Sequence, residues 1–171
     1  MTKDIQVTET DVRGVCMYET RRVIDPARGN LTVAEFGQEL PFVPLRYFIT
    51  FEIPSMATRG EHAHKECEQF LVCVRGRCCV KVDDGRHEEE FLLNSPTKGI
   101  YIPPMVWAVE YKHSFDSALM VFASHRYDPD DYIRDYKEFQ RLAHKRRTFA
   151  GPPKPAFATP RLETAMLSRS N

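Results

Sequence analysis

With 171 residues, the chain is long enough for one domain with a proper core, and a second domain is not expected. Lysine plus arginine and aspartate plus glutamate balance at 24 each, so no global field recruits nucleic acid or an anionic membrane. Any anionic ligand therefore needs a local basic pocket. The opening MTKDIQVTETDVRG is charged where a secretory signal needs an apolar run, and no segment approaches membrane-spanning length, so a cytoplasmic protein is expected.

Short β-like runs separated by turn signals fill residues 20–125. Residues 46–53, RYFITFEI, are rich in aromatic and β-branched side chains and stop at Pro54. QFLVCV at 69–74 leads into Arg75, Gly76 and Arg77, which read as a tight hairpin turn before CCVKV at 78–82. Asp84 and Gly85 read as a second hairpin, leading to EEFLL at 89–93. GIYI at 99–102, VWAVEY at 106–111 and SALMVFA at 117–123 complete the series. Strands this short at such regular spacing predict an all-β sandwich or barrel. The five cysteines are odd in number, and the adjacent Cys78 and Cys79 face opposite ways on a strand, so they are expected to pack as reduced thiols.

From Asp130 the pattern changes. Tyr132, Ile133, Tyr136, Phe139 and Leu142 recur at helical spacing over 130–143. Acidic residues open this stretch and Lys145, Arg146 and Arg147 close it, matching the helix dipole. The spacing predicts a helix packed on the barrel edge, ending a single domain over 1–147. Residues 148–171 carry four prolines without periodicity and are expected to form a disordered tail.

The stretch RGEHAHKECEQF at 59–70 looks at first like half a metal site. On a strand, His62 and His64 share one face. Gly60, the two histidines, Glu68 or Gln69, and Gly76 together resemble the first motif of the cupin β-barrel, a jelly roll, and IPPMVWA at 102–108 occupies the place of the second. Aligned by spacing, the two remaining cupin ligand positions hold Gln69 and Ala108, too weak a set for zinc, iron or manganese. Glu68 is out of phase and would reach the site only through a bulge. No metal is therefore expected. As wall residues, two imidazoles beside Arg59 and Lys65 would be costly to bury. A pair of proton carriers accounts for them better, since histidine both accepts and donates near neutral pH.

RGEHAHKECEQFLVCVRG, VDDG, EEFLLNSPTKGIYIPPMVW and FASHRYDPDDYIRDYKEF, with Asp25, Arg28 and Gly29 upstream, closely resemble the dTDP-4-oxo-6-deoxyglucose 3,4-ketoisomerases, or WxcM-like cupins, over residues 20–143. The resemblance implies a homodimer that exchanges N-terminal strands and acts on dTDP-linked 4-keto-6-deoxy sugars in dideoxy-aminosugar biosynthesis, without metal or organic cofactor. It places the catalytic histidines on His62 and His64, an arginine on Arg59 and a tryptophan on Trp107. Arg59, Arg46, Arg28 and Lys65 are candidate substrate contacts, the arginines through a guanidinium fork suited to phosphate. Tyr101, Trp107 and Tyr111 are candidates for the base or sugar, and Tyr127 is a weaker one. Ala108 stands where some relatives place a polar residue, which leaves a galacto or gluco product open. Two other readings remain: an isomerase or epimerase of another nucleotide sugar, and a non-catalytic sugar-nucleotide-binding cupin.

Overall fold

The computed structural model describes residues 5–54 and 56–149. Strands are numbered in chain order. One sheet is built, in spatial order, from β1 (Gln6–Glu9), β2 (Cys16–Glu19), β10 (Lys98–Ile102), β7 (Gln69–Arg75), β12 (Ala118–Ala123) and β5 (Arg46–Phe51). The other contains β13 (Tyr132–Ile133), β6 (Arg59–His64), β11 (Trp107–Tyr111), β8 (Cys78–Asp83) and β9 (Glu88–Leu93). A separate hairpin is formed by β3 (Arg21–Val23) and β4 (Leu31–Val33).

Alternation of side chains turns these two sheets into one jelly-roll body. Leu71 and Cys73 of β7, Ile100 and Ile102 of β10, and Leu119 and Val121 of β12 point inward. They meet Cys78, Val80 and Val82 of β8, Leu93 of β9 and Ala108 of β11, all buried. Apolar surface removed from water on both inner faces is the main stabilising term. Outside the first sheet, Tyr18, Phe70 and Tyr101 form a second buried layer with Leu40 from the segment that crosses it. The cup is the cupin-like all-β fold expected from the strand spacing.

Three local expectations need correction. Strands β1 and β2 precede residue 20, where the β-like pattern was expected to begin. Their sequences, QVTE and CMYE, are too polar and short to show alternation, yet β2 finds its partner in β10.

Arg75, Gly76 and Arg77 do not close a hairpin, because β7 and β8 lie in different sheets. The turn carries the chain between them and is held from outside: Arg77 N donates to Ser114 Oγ at 2.9 Å, and Ser114 N donates to the Arg77 carbonyl at 2.9 Å. Gly76 has φ +67°, and a Cβ there would lie 2.3 Å from Ser114 Oγ. The Asp84–Gly85 hairpin does form between β8 and β9, with Asp84 N donating to the His87 carbonyl at 3.2 Å.

The helix α1 spans Tyr136–Phe149 and starts six residues later than its apolar spacing suggested. Asp128 and Pro129 open a 3-10 turn over Pro129–Asp131, with Asp128 accepting from Asp130 N, and the chain then enters β13. Asp135 accepts from Glu138 N at 2.7 Å and so caps the real helix, as a D-x-x-E box does. The helix packs on the outside of the second sheet, where Phe139 and Ala143 are buried with Trp107, Ala63 and Ile133. It continues two residues past the expected domain limit, and the rest of the expected tail lies outside the described residues. No helix among the described residues is long and apolar enough to cross a membrane.

Phe139 is fully buried at this seam. Phe139→Ala is expected to lower stability by about 3–5 kcal/mol through lost burial and a residual cavity, read as a fall in the urea midpoint at unchanged slope.

Candidate active site

A regular strand puts residues 62 and 64 on one face and residue 59 on the other. Strand β6 breaks this rule. Ala108 stands opposite His62, Val109 opposite Gly60, and Glu110 opposite Arg59, so Glu61 is an extra, bulged residue. Gly60 and Glu61 both take left-handed backbone, φ +76° and +55°. A Cβ on Gly60 would lie 2.7 Å from the Ala108 carbonyl oxygen, which is why glycine sits there. Because cross-strand partners share a face, the bulge puts Arg59 on the same side of the strand as the histidines, at its exposed end.

Each imidazole is fixed through Nδ1. His62 Nδ1–H donates to the Gly60 carbonyl at 2.8 Å, and His64 Nδ1–H donates to Asp131 Oδ2 at 2.7 Å. A carbonyl and a carboxylate accept only, so both Nδ1 atoms carry hydrogen. The two Nε2 atoms then face one another at 3.2 Å, with the Gln69 amide also 3.2 Å from His64 Nε2. Tyr132, opposite His64 on β13, packs against both rings with centroids 4.8 Å and 4.4 Å away.

Burial is the largest influence on both histidines. It lowers His62, against a raising effect of the Gly60 carbonyl and a further lowering by Arg134. It lowers His64 to about 4, although the bond to Asp131 pulls the other way. Burial pushes the Asp131 carboxyl up, but donors from Glu66 N and His64 together hold it below the ordinary value. At neutral pH the free site thus holds two uncharged imidazoles whose Nε2 lone pairs converge. A proton arriving on either one converts that repulsion into an N–H···N bond.

The opposite wall comes from β5, the edge of the first sheet. Arg46, Ala123 and Gln69 are in register across β5, β12 and β7, so Arg46 faces inward beside Gln69. Its charge lowers His64, its guanidinium lies 5.5 Å over the Tyr127 ring, and its Nε is buried without a hydrogen-bond partner. An orphaned guanidinium donor in a polar cleft is the mark of a missing acceptor.

The remaining sequence candidates are not gathered here. Lys65 is exposed and its Nζ donates to the Asp130 carbonyl at 2.6 Å. Arg28 lies on the turn between β3 and β4, with its side chain 85% exposed and paired to Asp25 at 2.6 Å. Tyr101 faces away from the cleft into the outer layer, and its hydroxyl donates to Glu68 at 2.8 Å, which also takes Glu68 out of reach of the histidines. Trp107 and Tyr111 point to the outer face of the second sheet. Trp107 stacks under α1 against Tyr136 and Phe139, at 5.1 Å and 5.6 Å. Tyr111 donates to Glu90 and lines a separate cavity of about 530 Å³. Strand parity explains these three aromatics: each is an odd step from an inward residue of its own strand, Ile100 or Ala108.

In their place the fold brings in Asp131, Tyr132 and Arg134, which the apolar spacing over 130–143 places in the helix. Arg134 lies 4.3 Å over the Tyr132 ring. The signal was present as Asp128-Pro129, which starts a short turn, and as the later Asp135–Glu138 box.

His64, Cys67 and Asp131 offer ligand atoms within 4.8 Å of one another. Direct bonding of His64 to Asp131 occupies that space, and a cupin-type ion would instead need Nε2 of both histidines, where the further positions supply the Gln69 amide and the Ala108 methyl. Neither arrangement makes a good donor set for a divalent transition metal.

Proton transfer is what such a pair can do, and the barrel that carries it is of the cupin type. Residues 13–144 match the protein-family model described as "FdtA: WxcM-like, C-terminal", and the chain belongs to this family of sugar 3,4-ketoisomerases. It is 41% identical over 125 residues to TDP-4-oxo-6-deoxy-alpha-D-glucose-3,4-oxoisomerase of Aneurinibacillus thermoaerophilus, covering 73% of this chain and 89% of that one. Its fold is similar to a 3,4-ketoisomerase from Helicobacter canadensis, with TM-score 0.74 and 33% identity over 77% of this chain and 98% of the other. A sugar 3,4-ketoisomerase from Thermoanaerobacterium thermosaccharolyticum in complex with TDP gives TM-score 0.75 at 32% identity, over 78% and 96%. A histidine-to-asparagine variant of that same protein was solved with TDP-4-keto-6-deoxyglucose.

Asp131→Asn is expected to fold and to reduce turnover on the order of 10²-fold, because the imidazolium of His64 loses its counter-charge. Asp131 raises His64, so the His64 midpoint should move further down from about 4, which NMR titration of the ring protons would read. An upward shift, or unchanged turnover, would contradict the assigned geometry.

Proposed function

We propose that the chain moves the keto group of a dTDP-linked 4-keto-6-deoxyhexose from C4 to C3, with His62 and His64 as the acid/base pair. The observation that carries this reading is the facing of two Nε2 atoms at 3.2 Å, each ring fixed from behind. The C4 carbonyl acidifies the C3 proton. His62, the more accessible of the two, takes that proton, leaving an enediolate whose charge lies on O4. His64, backed by Asp131, takes the O3 proton on its open Nε2 and delivers it to O4 as the double bond shifts. The proton held by His62 is delivered to C4, so C3–H and O3–H become C4–H and O4–H with no net redox change. No step needs a metal or an organic cofactor. Arg46, with its orphaned Nε, and Arg59, put on the histidines' side of the strand by the bulge, supply the cations for the diphosphate. Nucleotide-sugar chemistry and the free cysteines suit the cytoplasm.

His62→Asn and His64→Asn should each bind TDP at close to wild-type affinity and lose at least about 10²-fold in turnover, the pattern of groups used in the transition state. Incubation in D₂O followed by NMR of the sugar separates the roles. Replacing His62 stops exchange of the C3 proton, whereas replacing His64 leaves slow exchange without net isomerisation. Exhaustive chelation leaves the wild-type rate unchanged. Near-normal turnover in both variants, or metal-restored activity after chelation, would sink the reading.

The homodimer with exchanged N-terminal strands belongs to the same proposal. Among the described residues the β3–β4 hairpin pairs with no other strand, and it exposes Ile24 and Leu31 at 69% and 59%; a lone hairpin is marginal in water. A second copy would cover these residues and bring Arg28 to the neighbouring cleft. Sedimentation velocity is expected to give twice the chain mass, and a double Ile24→Glu, Leu31→Glu variant to shift toward monomer. A wild-type monomer at micromolar concentration would refute the exchange.

A further inference from the structure

The inner wall of the cleft holds an acid that the isomerisation does not use. Glu110 stands opposite Arg59 across the β6 bulge, is 8% exposed, and packs so closely on Gly60 that a Cβ there would lie 3.0 Å from its Oε2. Gly60 is also the residue whose carbonyl holds His62 Nδ1. The titratable groups facing this carboxyl are few. Arg59 comes from β6, His113 lies just beyond β11 and is buried beside the Glu110 backbone, and the Cys78 thiol is presented from β8. Burial lowers His113 and raises Cys78 well above the neutral range, though the Cys73 bond weighs most on Cys78, so both are uncharged at pH 7. That leaves the Arg59 guanidinium as the cation that answers Glu110.

We propose that Glu110 is the positioning residue for Arg59 and takes up a proton when Arg59 turns to a bound diphosphate, so that nucleotide-diphosphate binding is coupled to proton uptake. It rests on reading Arg59 as a phosphate contact. In the free cleft, Arg59 stands opposite Glu110 across the bulge without closing an ion pair, and its charge favours the ionised carboxylate at that range. An entering diphosphate brings two or more negative charges and competes for the same cation. Glu110 then keeps its buried place without a counter-charge, and an unpaired buried carboxylate neutralises by protonation. The sign follows from the two influences on the free acid: burial outweighs the lowering by Arg59 and leaves it at about 7. Withdrawing Arg59 raises it further, so the bound state holds more proton than the free state from about pH 7 upward.

Isothermal titration of TDP into the wild-type protein, in buffers of different ionisation enthalpy between pH 7 and 9, measures that uptake directly. The wild type is expected to absorb up to one proton more per site than Glu110→Gln, with TDP affinity falling by up to about tenfold per pH unit across the window. Glu110→Gln should bind TDP more tightly at pH 8 and lose that slope. Arg59→Gln should weaken binding and also lose it. If TDP binds in an Arg59-dependent manner while wild type and Glu110→Gln absorb equal protons, the coupling is wrong and the function stands. If TDP does not bind the wild type at all, the function fails with it. Should Glu110→Gln not fold, ¹³C NMR of the glutamate carboxyls in the wild type decides. A carboxyl titrating near pH 7 whose midpoint rises with TDP supports the coupling, and one that does not move overturns it.

Discussion

The hydrogen bond between Asp131 and His64 is the contact on which the cleft is organised. Asp131 reaches the barrel because the 3-10 turn and β13 bring it beside β6, where Glu66 N and His64 Nδ1 both donate to it at 2.7 Å. The bond fixes the tautomer of His64 and aims its Nε2 at His62. It does not keep His64 charged, since burial still takes the group to about 4, a bias of about 3 kcal/mol against the imidazolium. A neutral imidazole with an open Nε2 is what the proposed transfer of a proton from O3 to O4 needs. The same carboxylate then stabilises the cation once the proton has arrived, so its contribution rises along the reaction instead of being spent on the resting site.

The bulge in β6 solves a second problem, that of presenting cations and bases from one strand. Strict alternation would allow His62 and His64 inward only with Arg59 outward. One extra residue at Glu61 resets the parity, at the cost of two left-handed residues and a glycine that tolerates no side chain. The facing sheet needs no such device, because Arg46, Ala123 and Gln69 are in register and share the inner side.

This division explains what was legible in the sequence. Periodicity gave the β-architecture, and His-x-His gave a shared face, because both depend on neighbours along one strand. Sequence spacing also placed Gln69 and Ala108 correctly beside the pair, where the amide meets His64 and the methyl stands opposite His62. What it could not give was pairing between distant segments. Arg75-Gly76-Arg77 looks the same whether it closes a hairpin or crosses between sheets. Tyr101, Trp107 and Tyr111 are plausible pocket aromatics until the register assigns them to outer faces. Tyr132 fits a helical stripe as well as it fits a two-residue strand beside His64, and only the Asp135 cap separates the two. Tyr127, rated weakly from its loop position, proves to stand 5.8 Å from Tyr132 and under the Arg46 guanidinium.

Gly60 joins the two halves of the site. Its carbonyl holds His62 Nδ1, while its Cα lies against Glu110 and the Ala108 backbone. Any rotation of this peptide that released Arg59 outward would also turn the carbonyl away from His62 Nδ1. Arg59 can therefore change partners only through its own side-chain torsions, with the backbone held still. A guanidinium on a long flexible stem suits that task, because its fork can leave a carboxylate and meet a phosphate without moving the strand that carries His62. In the proposed exchange, the tight glycine and the buried acid let charge be redistributed at one end of the cleft while the imidazoles at the other keep their 3.2 Å spacing.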